Sequence, residues 1–177
     1  LLAQAEHEEN AKSILVTTSE KFAKEVISHI KEDLDSGRGR SRIKHESIKN
    51  HALILLSDSI EEAIDFSNKY APEHLQVMVS NPNSYLEKIK NAGSVFLGSY
   101  SPVPIGDYFS GTNHILPVGG AARFSSGLSV DSFMRRMTFQ NISEEGLRKS
   151  KDFVLKISEV EGFDDKHGGA VNIRFEN

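Results

Sequence analysis

The chain has 177 residues, of which 25 are acidic and 21 basic, and it contains no cysteine. This length suffices for one domain with a real hydrophobic core, with or without a small helical appendage. The formal net charge of -4, without any dense Lys/Arg run, argues against binding to nucleic acid or to an anionic membrane. Without thiolates, a metal ion must be held by histidine, carboxylate or neutral oxygen donors.

The N-terminal segment predicts neither a membrane anchor nor a secretory signal. No apolar run approaches the roughly 20 residues of a membrane helix. The start, LLAQAEHEEN, is acidic rather than basic and then apolar. We therefore expect a soluble, cytoplasmic protein. Because the chain begins with Leu1 instead of methionine, in what reads as the middle of a helix, we also expect a larger protein to lie upstream.

The first predicted elements are a strand and a helix. The apolar, β-branched segment 13–17 (SILVT) predicts a strand. Ser19 is a good N-cap, and apolar residues then recur at helical spacing as far as Leu34. Gly37 and Gly39 are expected to end this helix.

The same cycle of strand and helix continues along the chain. Segment 52–56 (ALILL) predicts a buried strand, and Asp58 or Ser59 caps the next helix. Segment 75–79 alternates with a period of two, as a strand does.

A further helix and strand complete the predicted sheet. Pro82 opens the helix, Gly93 closes it, and 94–97 (SVFL) forms a fourth strand. Four strands alternating with helices predict an α/β fold with a mainly parallel sheet, an incomplete Rossmann-like layer.

The segment after the fourth predicted strand is expected to be functional. Residues 98–127 are rich in Gly, Pro, Ser and Asn and show no helical period. Ligands of such sheets bind at the carboxyl ends of the strands, and a structureless loop of this length is uncommon unless it has a function. Beyond Val130 a helix is predicted over 143–160, followed by an extended tail at 170–175. We therefore predict an α/β catalytic domain portion at 1–128 and a small C-terminal helical arm at 129–177.

Several polar side chains are candidate metal ligands. Gln4 and His7 are three residues apart, so on a helix they share a face. Asp107 and His114 lie in the Gly/Pro-rich segment, and His167 lies in DDKHGG. Each has an ordinary alternative, as solvated surface, as the cap of a turn or as a structural hydrogen-bonding group. Taken together, an amide oxygen, two imidazoles and a carboxylate form a shell that zinc accepts.

Two further candidate residues stand side by side before the third predicted strand. Glu73 and His74 follow Pro72 in YAPEHL. Histidine is suited to take a proton from an alcohol, and an adjacent carboxylate can deprotonate water or orient the imidazole ring. The pair could therefore act as bases that are not needed as metal ligands.

These motifs together resemble the C-terminal part of the histidinol dehydrogenase family. The resemblance spans nearly the whole chain, and the motifs occur in the order that the family shows. The most specific are YAPEHL and the block from GDY to NHILP. The matching segments are QAEH at 4–7, YAPEHL at 70–75, AGSVFLG at 92–98, SPVPIGDYFSGTNHILP at 101–117, ARFSSGLSVDSFMRR at 122–136 and EGFDDKHGGAVNIR at 161–174.

The resemblance implies a zinc-dependent, NAD-linked oxidation of L-histidinol to L-histidine, the last step of histidine biosynthesis. The reaction would pass through the aldehyde with two hydride transfers. His74 would be the base toward the alcohol, and Glu73 would activate the water that adds to the aldehyde. The implied zinc ligands are Gln4, His7, Asp107 and His167. The implied substrate contacts are these four residues together with His74 and Glu161.

The resemblance also implies a homodimer in which the C-terminal arm crosses to the partner, so that His167 completes the neighbouring zinc site. The spacing from Glu161 to His167 is one residue longer than in the family pattern. Two alternatives remain open: an inactive metal-binding and dimerising fragment, since the family's principal NAD-binding residues lie upstream, and a related dehydrogenase of another hydroxyl substrate, such as a sulfonated diol. Because the chain has no G-x-G-x-x-G turn, we assign no cofactor-binding residues.

Overall fold

The computed structural model describes residues 1–175. The chain divides into two compact units, Leu1–Phe133 and Met134–Asn177. The helices of the first unit are α1 (Leu2–Ala5), α2 (Glu20–Asp35), α3 (Ser41–His51), α4 (Ile60–Tyr70) and α5 (Val103–Tyr108). Its strands are β1 (Ser13–Thr17), β2 (Ala52–Leu56), β3 (His74–Val77) and β4 (Ser94–Leu97), and its 3-10 segments are Pro82–Lys88, Ala121–Arg123 and Val130–Phe133. The second unit contains α6 (Glu144–Val160), a π-helical turn (Asp164–Gly168) and α7 (Ala170–Ile173).

The strands pair in parallel, as predicted, but they form two sheets within the described residues. β1 pairs with β2, with Ser13 opposite Ala52, and β3 pairs with β4, with His74 opposite Ser94. The single four-stranded layer predicted from the sequence was therefore wrong. The α/β class is confirmed, whereas a Rossmann-like arrangement stays a prediction. Hydrophobic patterns identify a strand but do not specify which strands exchange hydrogen bonds.

The first sheet is accompanied by two helices, of which the sequence predicted one. α2 begins as expected, because the Ser19 Oγ accepts a hydrogen bond from the Phe22 amide at 3.2 Å. α3 was missed because its sequence, SRIKHESIKNH, has little apolar periodicity. Its two buried residues are polar: Lys44 pairs with Asp33, and the Ser47 Oγ donates to the Ala11 carbonyl at 2.8 Å.

Three other local predictions need correction. Segment 98–127 contains the helix α5, although no helical period predicted one there. Pro82–Lys88 is a 3-10 helix. Ala170–Ile173, predicted as part of an extended tail, is helical. The alternation in AVNIRF resembled a strand, but a strand needs a hydrogen-bonded neighbour, and the described part of the second unit contains none.

α6 of the second unit matches its prediction closely. It begins at Glu144, and the Ser143 Oγ accepts a hydrogen bond from the Gly146 amide at 3.1 Å. No helix among the described residues is long and apolar enough to cross a membrane.

Candidate functional site

A cavity of about 330 Å³ in the first unit collects most of the candidate residues. They come from three separate parts of the sequence: the N-terminal segment, the start of β3 and the α5 region. The seven lining residues are Gln4, His7, Glu73, His74, Asp107, Tyr108 and His114. A polar cavity assembled from three distant segments is typical of a binding or catalytic site.

The backbone before β3 directs Glu73 and His74 into this cavity. α4 ends at Tyr70, and the next residue, Ala71, has a left-handed conformation with φ of 55°. This conformation is uncommon for a residue other than glycine. The Gly93 amide donates to the Pro72 carbonyl at 2.9 Å. This turn is therefore already hydrogen-bonded to the residue just before β4.

Asn68 and Arg123 fix the C-terminal end of α4, just before this turn. The Asn68 side-chain amide donates to the Lys88 carbonyl at 2.8 Å, and its oxygen accepts from the Lys90 amide at 2.7 Å. The Asn91 side chain donates to the Asn68 carbonyl at 2.9 Å, and Arg123 donates to the Lys69 carbonyl. The bonds to the Asn68 and Lys69 carbonyls satisfy groups that the end of a helix leaves free.

His74 lies between two carboxylates without a hydrogen bond to either. Its Nδ1 is 3.9 Å from the Glu73 Oε2, and its Nε2 is 4.0 Å from the Asp107 Oδ1. Its side chain is only 13% exposed, and both ring nitrogens are buried without a partner among the described residues. Unsatisfied buried nitrogen atoms are costly, and they are found where a ligand or substrate supplies the missing partner.

Asp107 is placed by the packing of α5 against β4. Gly106 is buried, and a Cβ atom there would lie 2.7 Å from Cε1 of Phe96. Phe96 is itself 6% exposed, and its ring centroid lies 6.0 Å from that of His74. The Thr112 Oγ1 donates to the Gly106 carbonyl at 2.9 Å, which ties the segment after α5 to the helix. Gly106 thus permits the close contact that brings Asp107 beside His74.

Gln4 reaches the cavity from the short helix α1, whereas His7 reaches it from the turn that follows. α1 ends at Ala5, and the His7 amide donates to the Gln4 carbonyl at 3.2 Å. Arg40 holds this turn, because its Nη1 donates to the Glu6 carbonyl at 3.0 Å and to the His7 carbonyl at 2.8 Å. The predicted shared helical face was therefore wrong, yet both residues line the cavity.

The donor set in the cavity suits a borderline metal ion such as zinc. Gln4, His7 and Asp107 offer an amide oxygen, an imidazole nitrogen and a carboxylate oxygen. Within residues 1–175, no three His, Cys, Asp or Glu side chains are grouped as for a metal ion. The third donor here is an amide, which lies outside those residue types. Three of the four predicted ligands thus line one cavity and fit the ion by their chemistry.

The other two predicted site residues belong to the second unit. Glu161 directly follows α6, and His167 lies in the π-helical turn. Both are exposed.

The sequence does not predict Tyr108 as a site residue, and it predicts His114 only as one possible metal ligand. Tyr108 follows Asp107 directly and is 85% exposed, and both residues line the cavity. Their place in the Gly/Pro-rich segment after the fourth strand was the available signal for both.

Comparison with known proteins gives a consistent result. The chain is 49% identical over 175 residues to histidinol dehydrogenase of Clostridium acetobutylicum, which covers 99% of this chain and 40% of that protein. It is 50% identical over 161 residues to the enzyme of Methanocaldococcus jannaschii, covering 91% of this chain and 37% of that protein.

A solved structure agrees with these relatives. The crystal structure of histidinol dehydrogenase from Elizabethkingia anophelis matches with a TM-score of 0.92 and 40% identity, over 99% of this chain and 40% of that chain. This chain therefore spans about two fifths of the length of the relatives that it matches. The histidinol dehydrogenase family model matches residues 1–175, and the chain belongs to the histidinol dehydrogenase family.

Proposed function

We propose that this chain supplies the proton-transfer residues and most of the metal ligands for the oxidation of L-histidinol to L-histidine, the last step of histidine biosynthesis. The observation that carries the proposal is the imidazole of His74, whose two ring nitrogens are buried. It lies between Glu73 and Asp107 in a cavity that Gln4 and His7 also line. A base held next to a metal-binding donor set is what the oxidation of a chelating amino alcohol requires.

His74 is the base for the alcohol. Oxidation of an alcohol to an aldehyde removes a proton from oxygen and a hydride from carbon, and His74 takes the proton. Its two ring nitrogens have no partner among the described residues, so one of them is free to accept a hydrogen bond from the substrate hydroxyl.

Glu73 is the base for the second oxidation. The aldehyde must add water before a second hydride can leave, and Glu73 takes a proton from that water. Its side chain is 31% exposed, compared with 13% for His74, which suits a group that contacts solvent water. The two adjacent bases thus serve two successive steps at the same carbon.

Zinc and NAD are the cofactors that we propose. Gln4, His7, Asp107 and His167 would hold zinc, which would fix the imidazole and amino groups of the substrate. NAD would accept the two hydrides. We assign no residue of this chain to NAD, because the sequence has no G-x-G-x-x-G turn. The substrate contacts would come from the same four ligands together with His74 and Glu161.

We further propose a cytoplasmic homodimer in which residues 129–177 form the arm that crosses to the partner. The partner subunit's His167 would then complete the ligand set. The second unit supports this proposal by its exposed apolar side chains, since Phe153 is 71%, Val160 is 76% and Phe163 is 59% exposed. Exposed apolar surface of this kind is typical of an interaction site. Neither nucleic acid nor a membrane is proposed as a partner.

A chimera tests the proposed activity. Residues 1–175 would replace the matched segment of the Clostridium acetobutylicum relative, and NADH formation would be followed with L-histidinol and with a sulfonated diol. We expect turnover of histidinol only, and a loss of roughly 10²- to 10⁴-fold in kcat for His74→Asn, because general-base catalysis contributes that much. A folded chimera without histidinol turnover, or with full turnover in the His74 variant, would refute the proposal.

The second candidate function is a metal-binding and dimerising fragment without turnover. Two observations favour it: the chain covers about two fifths of the length of its relatives, and its sequence has no dinucleotide-binding turn. The 177-residue chain alone, assayed beside the chimera, distinguishes the two. NADH formation by the chain alone would exclude the alternative of an inactive fragment. Activity of the chimera only would show that this chain needs the rest of the family's fold.

A further inference from the structure

A wide turn carries His167 in the second unit. α6 ends in a Schellman motif, in which the Phe163 amide donates to the Ser158 carbonyl at 2.7 Å and Gly162 has φ of 74°. The chain then enters the π-helical turn Asp164–Gly168. There the Gly168 amide donates to the Phe163 carbonyl at 2.8 Å, and the Gly169 amide donates to the Asp164 carbonyl at 3.1 Å.

Each of these two hydrogen bonds spans five residues, whereas an α-helical bond spans four. The turn therefore holds one residue more than an α-helical turn would. Asp165 and Lys166, in the middle of the turn, are 83% and 88% exposed and contact each other at 3.3 Å. The middle of the turn thus projects into solvent.

Phe163 and Gly168 make the contacts that flank His167. The Phe163 and His167 rings meet edge to face, with centroids 6.0 Å apart and an interplanar angle of 65°. Gly168 is buried against Ser158, and a Cβ atom at position 168 would overlap the Ser158 Oγ and lie 2.7 Å from the Ser158 Cβ. Ser158 is 4% exposed, and its Oγ donates to the Leu155 carbonyl at 2.9 Å.

We infer that Phe163 and Gly168 are positioning residues for the His167 side chain, which the π-helical turn carries. Phe163 fixes the direction of the ring, and Gly168 anchors the turn on α6. Only the expected effect on zinc affinity rests on the proposed function, in which His167 is a zinc ligand. The packing of the imidazole is independent of that role.

The first test compares Phe163→Leu with Phe153→Leu, a matched change on α6 of a phenylalanine that is 71% exposed. Two quantities are measured on the full chain: the NMR shifts of the His167 ring protons without metal, and zinc affinity by calorimetry. We expect Phe163→Leu to abolish the ring-current shift of His167 and to weaken zinc binding by about tenfold, in the range found for residues that orient a metal ligand. Phe153→Leu should change neither. An unchanged His167 spectrum in Phe163→Leu would overturn the positioning role.

The second test changes the contact between Gly168 and α6. Gly168→Ala should alter both the His167 ring shift and zinc affinity, whereas Asp165→Ala, in the exposed middle of the turn, should alter neither. Adding Ser158→Gly to Gly168→Ala should restore them, which a general folding defect would not allow. Unchanged His167 signals in Gly168→Ala would overturn the anchoring role of Gly168. If His167→Ala binds zinc as tightly as the parent while Phe163→Leu still moves the His167 signals, the ligand role proposed for His167 fails and the packing role is upheld.

Discussion

The imidazole of His74 is held at a cost to stability. Both of its ring nitrogens are buried without a hydrogen-bond partner among the described residues, and the neighbouring carboxylate oxygens lie beyond hydrogen-bonding distance, at 3.9 and 4.0 Å. Buried polar atoms without partners lower the free energy of unfolding. A residue retained in this arrangement is expected to be needed for chemistry rather than for folding.

We therefore predict that His74→Leu raises the free energy of unfolding by about 1 kcal/mol, because a buried apolar side chain replaces two unsatisfied nitrogens. Urea unfolding measures the change. The matched control is Gln76→Leu on the same strand, where the side chain is exposed and little change is expected. A marked loss of stability in His74→Leu would show that the imidazole is a structural residue.

Glu61 and Lys88 form an exposed ion pair whose titration can be predicted. The hydrogen bond from Lys88, with an Nζ–Oε1 distance of 2.9 Å, is the main cause that lowers the pKa of Glu61 below its ordinary value. The folded pKa is thus below the unfolded one. The stabilisation is complete above the unfolded pKa and is lost as the pH falls through the folded pKa.

NMR titration of the Glu61 carboxyl group tests this sign. Lys88→Met should raise the pKa of Glu61 toward its ordinary value. Lys149→Met, which removes the partner of Glu145 on α6, should leave it unchanged. If the pKa of Glu61 were the same in the parent and in Lys88→Met, the hydrogen bond would not form in solution.

At the scale of elements, the contact between α5 and β4 decides where Asp107 lies. Gly106→Ala would bring a Cβ atom to 2.7 Å from Cε1 and 2.9 Å from Cζ of the Phe96 ring. We predict a loss of about 1–3 kcal/mol in unfolding free energy, the usual effect of overpacking, together with weaker zinc binding because Asp107 is displaced. Phe96→Leu removes the opposing ring atoms, so the double variant should lose less than the sum of the two single variants. Strictly additive losses in denaturant unfolding would mean that the two side chains do not touch.

The elements that the sequence predicted well are those that local chemistry specifies. β1, β2, β4, α2 and α6 were found from apolar runs and helical periodicity. The structure confirms the predicted serine N-caps at Ser19 and Ser59. α3 was missed because it is held by buried polar contacts, such as that of Ser47 with the Ala11 carbonyl. α5 was missed because proline and glycine lie within VPIGDY, and its stability comes from packing on Phe96. Such tertiary contacts leave no periodic pattern in the sequence.

At the scale of the whole molecule, the site is assembled from segments that are far apart in sequence. Gln4 and His7, Glu73 and His74, and Asp107 line one cavity, and spacing alone left each pair with an ordinary alternative. The resemblance to a family, not residue spacing, joined them. The two separate sheets could not be foreseen, because strand partners depend on how the connections cross. The roles of Glu161 and His167 in the second unit stay predictions.

The most direct measurement is the zinc affinity of the purified chain and of its His7→Ala and Asp107→Asn variants, determined by calorimetry after removal of metal. His45→Ala, which removes an exposed histidine of α3, is the matched control. We expect one zinc ion per chain and no change in the control. In either cavity variant we expect the zinc affinity to fall on the order of 100-fold. Equal affinity in the parent, both cavity variants and the control would contradict a metal site in this cavity.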